Sequence, residues 1–250
     1  MTGLAIRSME TGAVRELRPN LAHIYSAYIQ PVWSPEGSFL LVNGTDKKGR
    51  QGIYRIDAQN GETAPLVLSE PGQGDVSALG LSPNGRTLYI HRNDIKSKGA
   101  VLLARDMQSG QEREIVRRDG LRDVGLSPDG RLLAVTGFDK SAKSGSLLLV
   151  PADGGEPREL LRLSDSGPET LGAFVGWLPD GKFLLFRKGP NGARETWRIP
   201  VEGGAPAKYG AEWTAGGPAT IHPDGLRVAF PMGVRKLEIW AMENFLPALK

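Results

Sequence analysis

Two groups of residues in this chain could do chemistry by type and spacing: three histidines, His23, His91 and His222, and three recurring aspartates, Asp129, Asp180 and Asp224. Imidazoles brought together would hold a divalent metal, and paired carboxylates would act as general acid and base. Their surroundings argue for plainer roles. Each of the three aspartates stands in Pro-Asp-Gly, where a turn needs a side chain that bonds locally. His91 ends an apolar run and His222 sits inside a turn, so both are expected away from any common site, and no metal or other cofactor is expected. The chain has no Cys, so thiolate chemistry and disulfides are excluded. Neither G-x-S-x-G nor H-E-x-x-H occurs. On these grounds the chain is read as non-catalytic.

The elements that carry these residues repeat. The phrases WSPEGSFLLV, LSPNGRTLYI, LSPDGRLLAV, WLPDGKFLLF and IHPDGLRVAF are anchored on Pro35, Pro83, Pro128, Pro179 and Pro223, which lie 48, 45, 51 and 44 residues apart. A period in this range, built on strand-type segments, signals the blades of a β-propeller. In the third repeat Val124–Leu126 reads as a short innermost strand and Ser127-Pro128-Asp129-Gly130 as a turn. Leu132–Thr136 reads as a second strand, 137–145 as a polar loop, Leu147–Val150 as a third strand, and Pro157–Leu163 as an outer strand. A second turn, Asp153-Gly154-Gly155, recurs as Thr11-Gly12, Asn60-Gly61, Ser109-Gly110 and Gly203-Gly204. The fold expected is all-β, a propeller of four-stranded antiparallel blades with about five repeats and a partial blade.

One propeller domain is expected over 1–250: a half-blade at 1–18, repeats at 19–68, 69–117, 118–163, 164–210 and 211–246, and a tail at 247–250. Before the first inner turn only a third and a fourth strand are found, Leu4–Ser8 and Ala13–Leu17. After the last inner turn come a second, Arg227–Phe230, and a third, Leu237–Met242. If the two ends completed one blade, one third strand would be left over. The simplest account is the C-terminal part of a larger ring of six or more blades, and a closed five-bladed ring with one displaced strand is the alternative. No segment approaches the length and apolarity of a membrane helix, and the first residues lack the basic and apolar regions of a signal peptide. The cytoplasm is therefore the default compartment, or an extracytoplasmic one if the chain is part of a membrane-anchored receptor. A net charge of +3 is mild and points to no specific nucleic-acid partner.

The Ser-Pro-Asp-Gly phrase, the apolar strand after it and the Asp-x-x-Gly-Gly type of hairpin together resemble the TolB-like (WD-like) propellers of bacteria. Ser34, Ser82 and Ser127 match the motif's Ser; Leu178 and His222 depart from it, and Glu36 and Asn84 replace its Asp. The ending Glu238-Ile239-Trp240-Ala241-Met242-Glu243-Asn244-Phe245-Leu246-Pro247 is similar to the C-termini of propellers that follow bacterial Ser/Thr kinase domains. The chain carries no kinase signature of its own. The resemblance implies a sensor or interaction module of a larger signalling protein, fused to or partnered with a kinase or further blades. It also leaves open a lyase or hydrolase with a channel site, or an accessory propeller of a peptidase, because propellers of this kind occur in such enzymes.

One pattern goes beyond turn-making. The loops joining second to third strands, 43–52, 92–100, 137–145, 187–194 and 231–236, carry Lys47, Lys48, Arg50, Arg92, Lys96, Lys98, Lys140, Lys143, Arg187, Lys188, Arg194, Arg235 and Lys236. Against these stand only Asp46, Asp94 and Asp139. The blade pattern puts all these loops on one face, which makes that face a candidate site for a protein or an anionic ligand. The fourth-to-first loops lean acidic, with Glu70, Asp75, Asp165, Glu169 and Glu212. Trp33 and Trp177 occupy matching positions before inner turns, and Trp197 and Trp240 match in third strands, so packing between blades is expected of all four. Trp213 falls in a loop and joins the candidate binding residues.

Overall fold

The computed structural model describes residues 4–7, 13–25, 31–72, 74–94, 99–118, 120–164, 169–189, 195–209, 220–221 and 228–229. Among them there is no helix. A two-stranded sheet comes first, β1 (Leu4–Arg7) with β2 (Val14–Leu17). Blade 1 follows, with an innermost strand in two pieces, β3 (Leu21–Ile24) and β4 (Val32–Trp33), then β5 (Phe39–Asp46), β6 (Gln51–Asp57) and β7 (Thr63–Leu68). Blade 2 is β8 (Val76–Leu81), β9 (Thr87–Asp94), β10 (Gly99–Asp106) and β11 (Glu112–Arg118). Blade 3 is β12 (Leu121–Leu126), β13 (Leu132–Asp139), β14 (Ser144–Pro151) and β15 (Arg158–Ser164). Blade 4 is β16 (Thr170–Trp177), β17 (Phe183–Gly189), β18 (Glu195–Pro200) and β19 (Ala207–Lys208), and the pair β20 (Thr220–Ile221) and β21 (Val228–Ala229) comes last.

All pairings are antiparallel and each sheet runs in chain order from the innermost strand outward. The repeating phrase dictates this through its turns. The Ser127 hydroxyl accepts the amides of Arg131 and Leu132 and donates to Asp129, whose carboxylate also takes the Arg131 amide. Asp180 likewise accepts from the Lys182 amide. Gly130 closes the turn at φ 74°, a left-handed conformation that disfavours any residue with a Cβ. Asp129 and Asp180 therefore serve the turns, as read from sequence; Asp224 lies outside the described residues.

Alternate residues of the middle strands face opposite blades, which produces a core between each pair of neighbours. Leu41, Leu88 and Ile90 meet between blades 1 and 2. Tyr89, Leu133 and Val135 meet between blades 2 and 3, and Ala134, Leu184 and Phe186 between blades 3 and 4. Arginines at the start of outer strands add a second tie. Arg113 reaches the Ala152 carbonyl of the next blade, Arg158 reaches that of Val201, and Arg15 on β2 reaches those of Ala58 and Gln59. The β1–β2 pair is thus joined to blade 1 in the way one blade joins the next.

Middle strands extend further than the apolar runs indicate. β13 continues to Asp139 and β14 begins at Ser144, so the loop in blade 3 is only 140–143, and β12 starts at Leu121 instead of Val124. Small and polar residues such as Gly137 and Ser146 continue the ladder because a neighbouring strand supplies their hydrogen bonds. The expected strand Leu237–Met242 lies outside the described residues.

Candidate loop-face binding site

Of the fourteen candidate binding residues, Lys96, Lys98, Arg194, Arg235, Lys236 and Trp213 lie outside the described residues. The other eight fall into two groups. Arg92, Arg187 and Lys188 belong to strands, since β9 and β17 run past them. Arg92 pairs with Glu112 at 2.9 Å, and the same carboxylate takes Arg105 at 3.1 Å. Lys188 is 9% exposed; its Nζ lies 2.7 Å from Glu169 and 3.7 Å from the centre of the Trp197 ring. Arg187 is 4% exposed. Burial removes Arg187 and Lys188 from the surface set, a correction to the loop placement that follows from the longer strands.

Lys47, Lys48, Arg50, Lys140 and Lys143 do stand at hairpin ends and are exposed. Both hairpins are built on an aspartate folded back onto its own loop. Asp46 accepts the amides of Lys48 and Arg50, each at 2.9 Å, and the Arg50 guanidinium at 2.8 Å. The Arg50 amide above all, then its guanidinium and the Lys48 amide, holds the Asp46 carboxyl below its ordinary range. In the second hairpin Asp139 takes the Ser141 hydroxyl and the amides of Ser141 and Ala142, and is lowered first by that hydroxyl. Gly49 and Lys143, at φ 80° and 46°, supply the left-handed residue that each loop needs.

The acidic residues of these loops thus face inward onto backbone amides, while Lys47, Lys48, Lys140 and Lys143 face solvent. Beside the first hairpin Tyr25, 41% exposed, shares a 2.5 Å hydrogen bond with Thr45. Sequence reasoning passed over Tyr25 because it follows a short strand and matches no repeat position. Among the described residues no group of three or more His, Asp or Glu could hold a metal. His91 is half-buried in β9, with its Nε2 buried and without a partner, and His222 lies outside the described residues.

Trp177 packs as expected, 8% exposed, and donates Nε1–H to the Gly125 carbonyl of blade 3 at 2.9 Å. Trp197 packs against the core between blades 3 and 4. Trp33 does not: it is 47% exposed. The expectation of packing fails there: among the described residues the sheet before blade 1 consists of β1 and β2, and none of its strands covers the ring. Trp240 lies outside the described residues.

No protein-family model matches the sequence, and no curated protein matches it in a sequence comparison. Solved structures do resemble it. TolB from Acinetobacter baumannii superposes with a TM-score of 0.67 at 16% identity, over 90% of this chain and 53% of that one. A putative TolB from Agrobacterium tumefaciens gives 0.60 at 20% identity, over 84% and 70%. An oligogalacturonate lyase in complex with manganese gives 0.52 at 16%, over 90% and 76%. At these identities the likeness concerns the fold, which a lyase shares with the TolB proteins. The chain has the β-propeller fold, as those TolB proteins do.

Proposed function

We propose that this propeller is a non-catalytic interaction module that docks an acidic protein segment on the hairpin ends of blades 1 and 3. The observation that supports this reading is the inward fold of Asp46 and Asp139, which leaves Lys47, Lys48, Lys140 and Lys143 as the outward charges of both hairpins. Short hairpin loops on a packed scaffold fix the backbone that carries these lysines, and Tyr25 adds an amphipathic surface beside them. A field of one sign on one face steers an anionic partner and fixes its orientation. The module would act within a signalling protein, as a sensor or an adaptor.

The test is fluorescence anisotropy with a labelled glutamate-rich peptide and a variant with Lys47, Lys48, Lys140 and Lys143 all changed to Gln. Exposed ion pairs contribute about 0.5 kcal/mol each, so losing four should weaken binding about thirtyfold and flatten its salt dependence. Equal affinity and equal salt slope in the two proteins would reject the proposal.

A further inference from the structure

Building on the acidic docking described above, on which this inference rests, we propose that the docked segment carries an aromatic side chain. Tyr25, with the ammonium groups of Lys47 and Lys48, forms the seat for that ring. Among the described residues three large apolar side chains are exposed, Val14, Tyr25 and Trp33. Val14 adjoins Arg15, which reaches the outer turn of blade 1, and Trp33 directly precedes the inner turn, so both stand at the turn end of the blades. Tyr25 is the one that stands at the end where the lysines are.

Tyr25 is held at both of its ends. Its amide donates to the Asn43 carbonyl at 2.8 Å, which carries the β3–β5 pairing one residue past Ile24↔Gly44. Its hydroxyl is shared with Thr45, which stands opposite His23 in the same ladder and two residues before Lys47. With the hydroxyl committed, what Tyr25 offers a partner is its ring, in an orientation set before the partner arrives. His23, exposed and two residues before Tyr25, lies on the same face of the strand and widens the aromatic surface. The chemistry of the occupant follows from what each kind of side chain would gain. An aliphatic one gains burial against Tyr25. An aromatic one gains that burial, an edge-to-face or offset contact with the Tyr25 ring, and the attraction of its own face for a lysine ammonium. Asp46 does not compete for those ammonium groups, because its carboxylate is taken by the Lys48 and Arg50 amides and the Arg50 guanidinium. The acidic residues of the segment bring it to Lys47 and Lys48, and the ring decides which acidic segment stays.

The test compares two labelled glutamate-rich peptides that differ at one central residue, Phe or Leu, by fluorescence anisotropy against the wild-type protein and Tyr25→Leu. The wild type should bind the Phe peptide about fivefold more tightly, the factor that an aromatic pair of about 1 kcal/mol gives. Tyr25→Leu should bind the two peptides alike. It should also hold the Leu peptide about as tightly as the wild type does and with the same salt slope, which shows that the variant is folded. Equal binding of the two peptides by the wild type, with salt dependence intact, would overturn the aromatic seat and leave the acidic docking standing. A preference for Phe that survives in Tyr25→Leu would overturn it as well. Binding of neither peptide would remove the docking itself, and the seat with it.

Discussion

His91 has the least comfortable position among the titratable residues described. Eight residues after the turn prolines of blades 1 to 4 the second strand carries a polar side chain, Asn43, His91, Thr136 and Arg187, facing the next blade. Asn43 accepts the Ala78 amide across the blade interface, and Thr136 exchanges bonds with Asp123 of its own blade. His91 Nε2 has no such partner, and burial pushes the imidazole pKa below its ordinary 6.5. A depressed folded value means that the unfolded chain binds the proton first, so acidification below about pH 6.5 costs stability. Asp46, Asp57 and Asp139, all lowered from 3.8, act in a separate, more acidic window. Denaturant titrations should show stability falling as the pH drops below about 6.5, and His91→Leu should flatten that slope. An unchanged slope in the variant would assign it to other groups. Asp129 and Asp180 were legible as turn residues because a turn acts within a few residues. This buried polar row was not, because its bonds depend on the neighbouring blade.

At the scale of elements, the inner turn of blade 3 nests tightly against that of blade 2, that of blade 2 touches that of blade 1 at ordinary contact distance, and Gly181 in blade 4 has open space around it. A Cβ added at Gly130 would lie 2.5 Å from Pro83 Cδ of the preceding blade, whereas one at Gly37 would meet nothing within 4 Å. Both glycines have left-handed φ, 74° and 73°. Gly37→Ala should therefore cost only the conformational strain, about 1–2 kcal/mol. Gly130→Ala adds a clash between blades and should cost about 3 kcal/mol or more. Equal losses in thermal unfolding would show that the turns do not nest. The strands themselves could be read from their apolar middles, but their ends could not. Gly137, Ser144 and Ser146 look like loop residues and extend β13 and β14 because the partner strand is there to bond them. The same shortfall placed Arg187 and Lys188 in a loop when β17 carries them into the interior.

For the molecule as a whole, the fold was legible because a repeat states it five times, and the binding surface was legible only in part. Counting charge over loops treated every Lys and Arg as equal. The structure separates them by what they touch: Arg92 meets Glu112, Lys188 meets Glu169, and Lys140 and Lys143 remain on an Asp139-capped hairpin. The exposure of Trp33 was likewise invisible from its own repeat, because it depends on the sheet before it. The central claim, an acidic partner on the hairpin ends, is tested most directly by lysine footprinting. The protein is acylated with and without the glutamate-rich peptide and the modified sites are read by mass spectrometry. The account expects protection of Lys47, Lys48, Lys140 and Lys143, with Lys182, exposed in an inner turn at the opposite end of its blade, reacting equally in both. Protection centred on Lys182, or no protection at the four hairpin lysines, would contradict it.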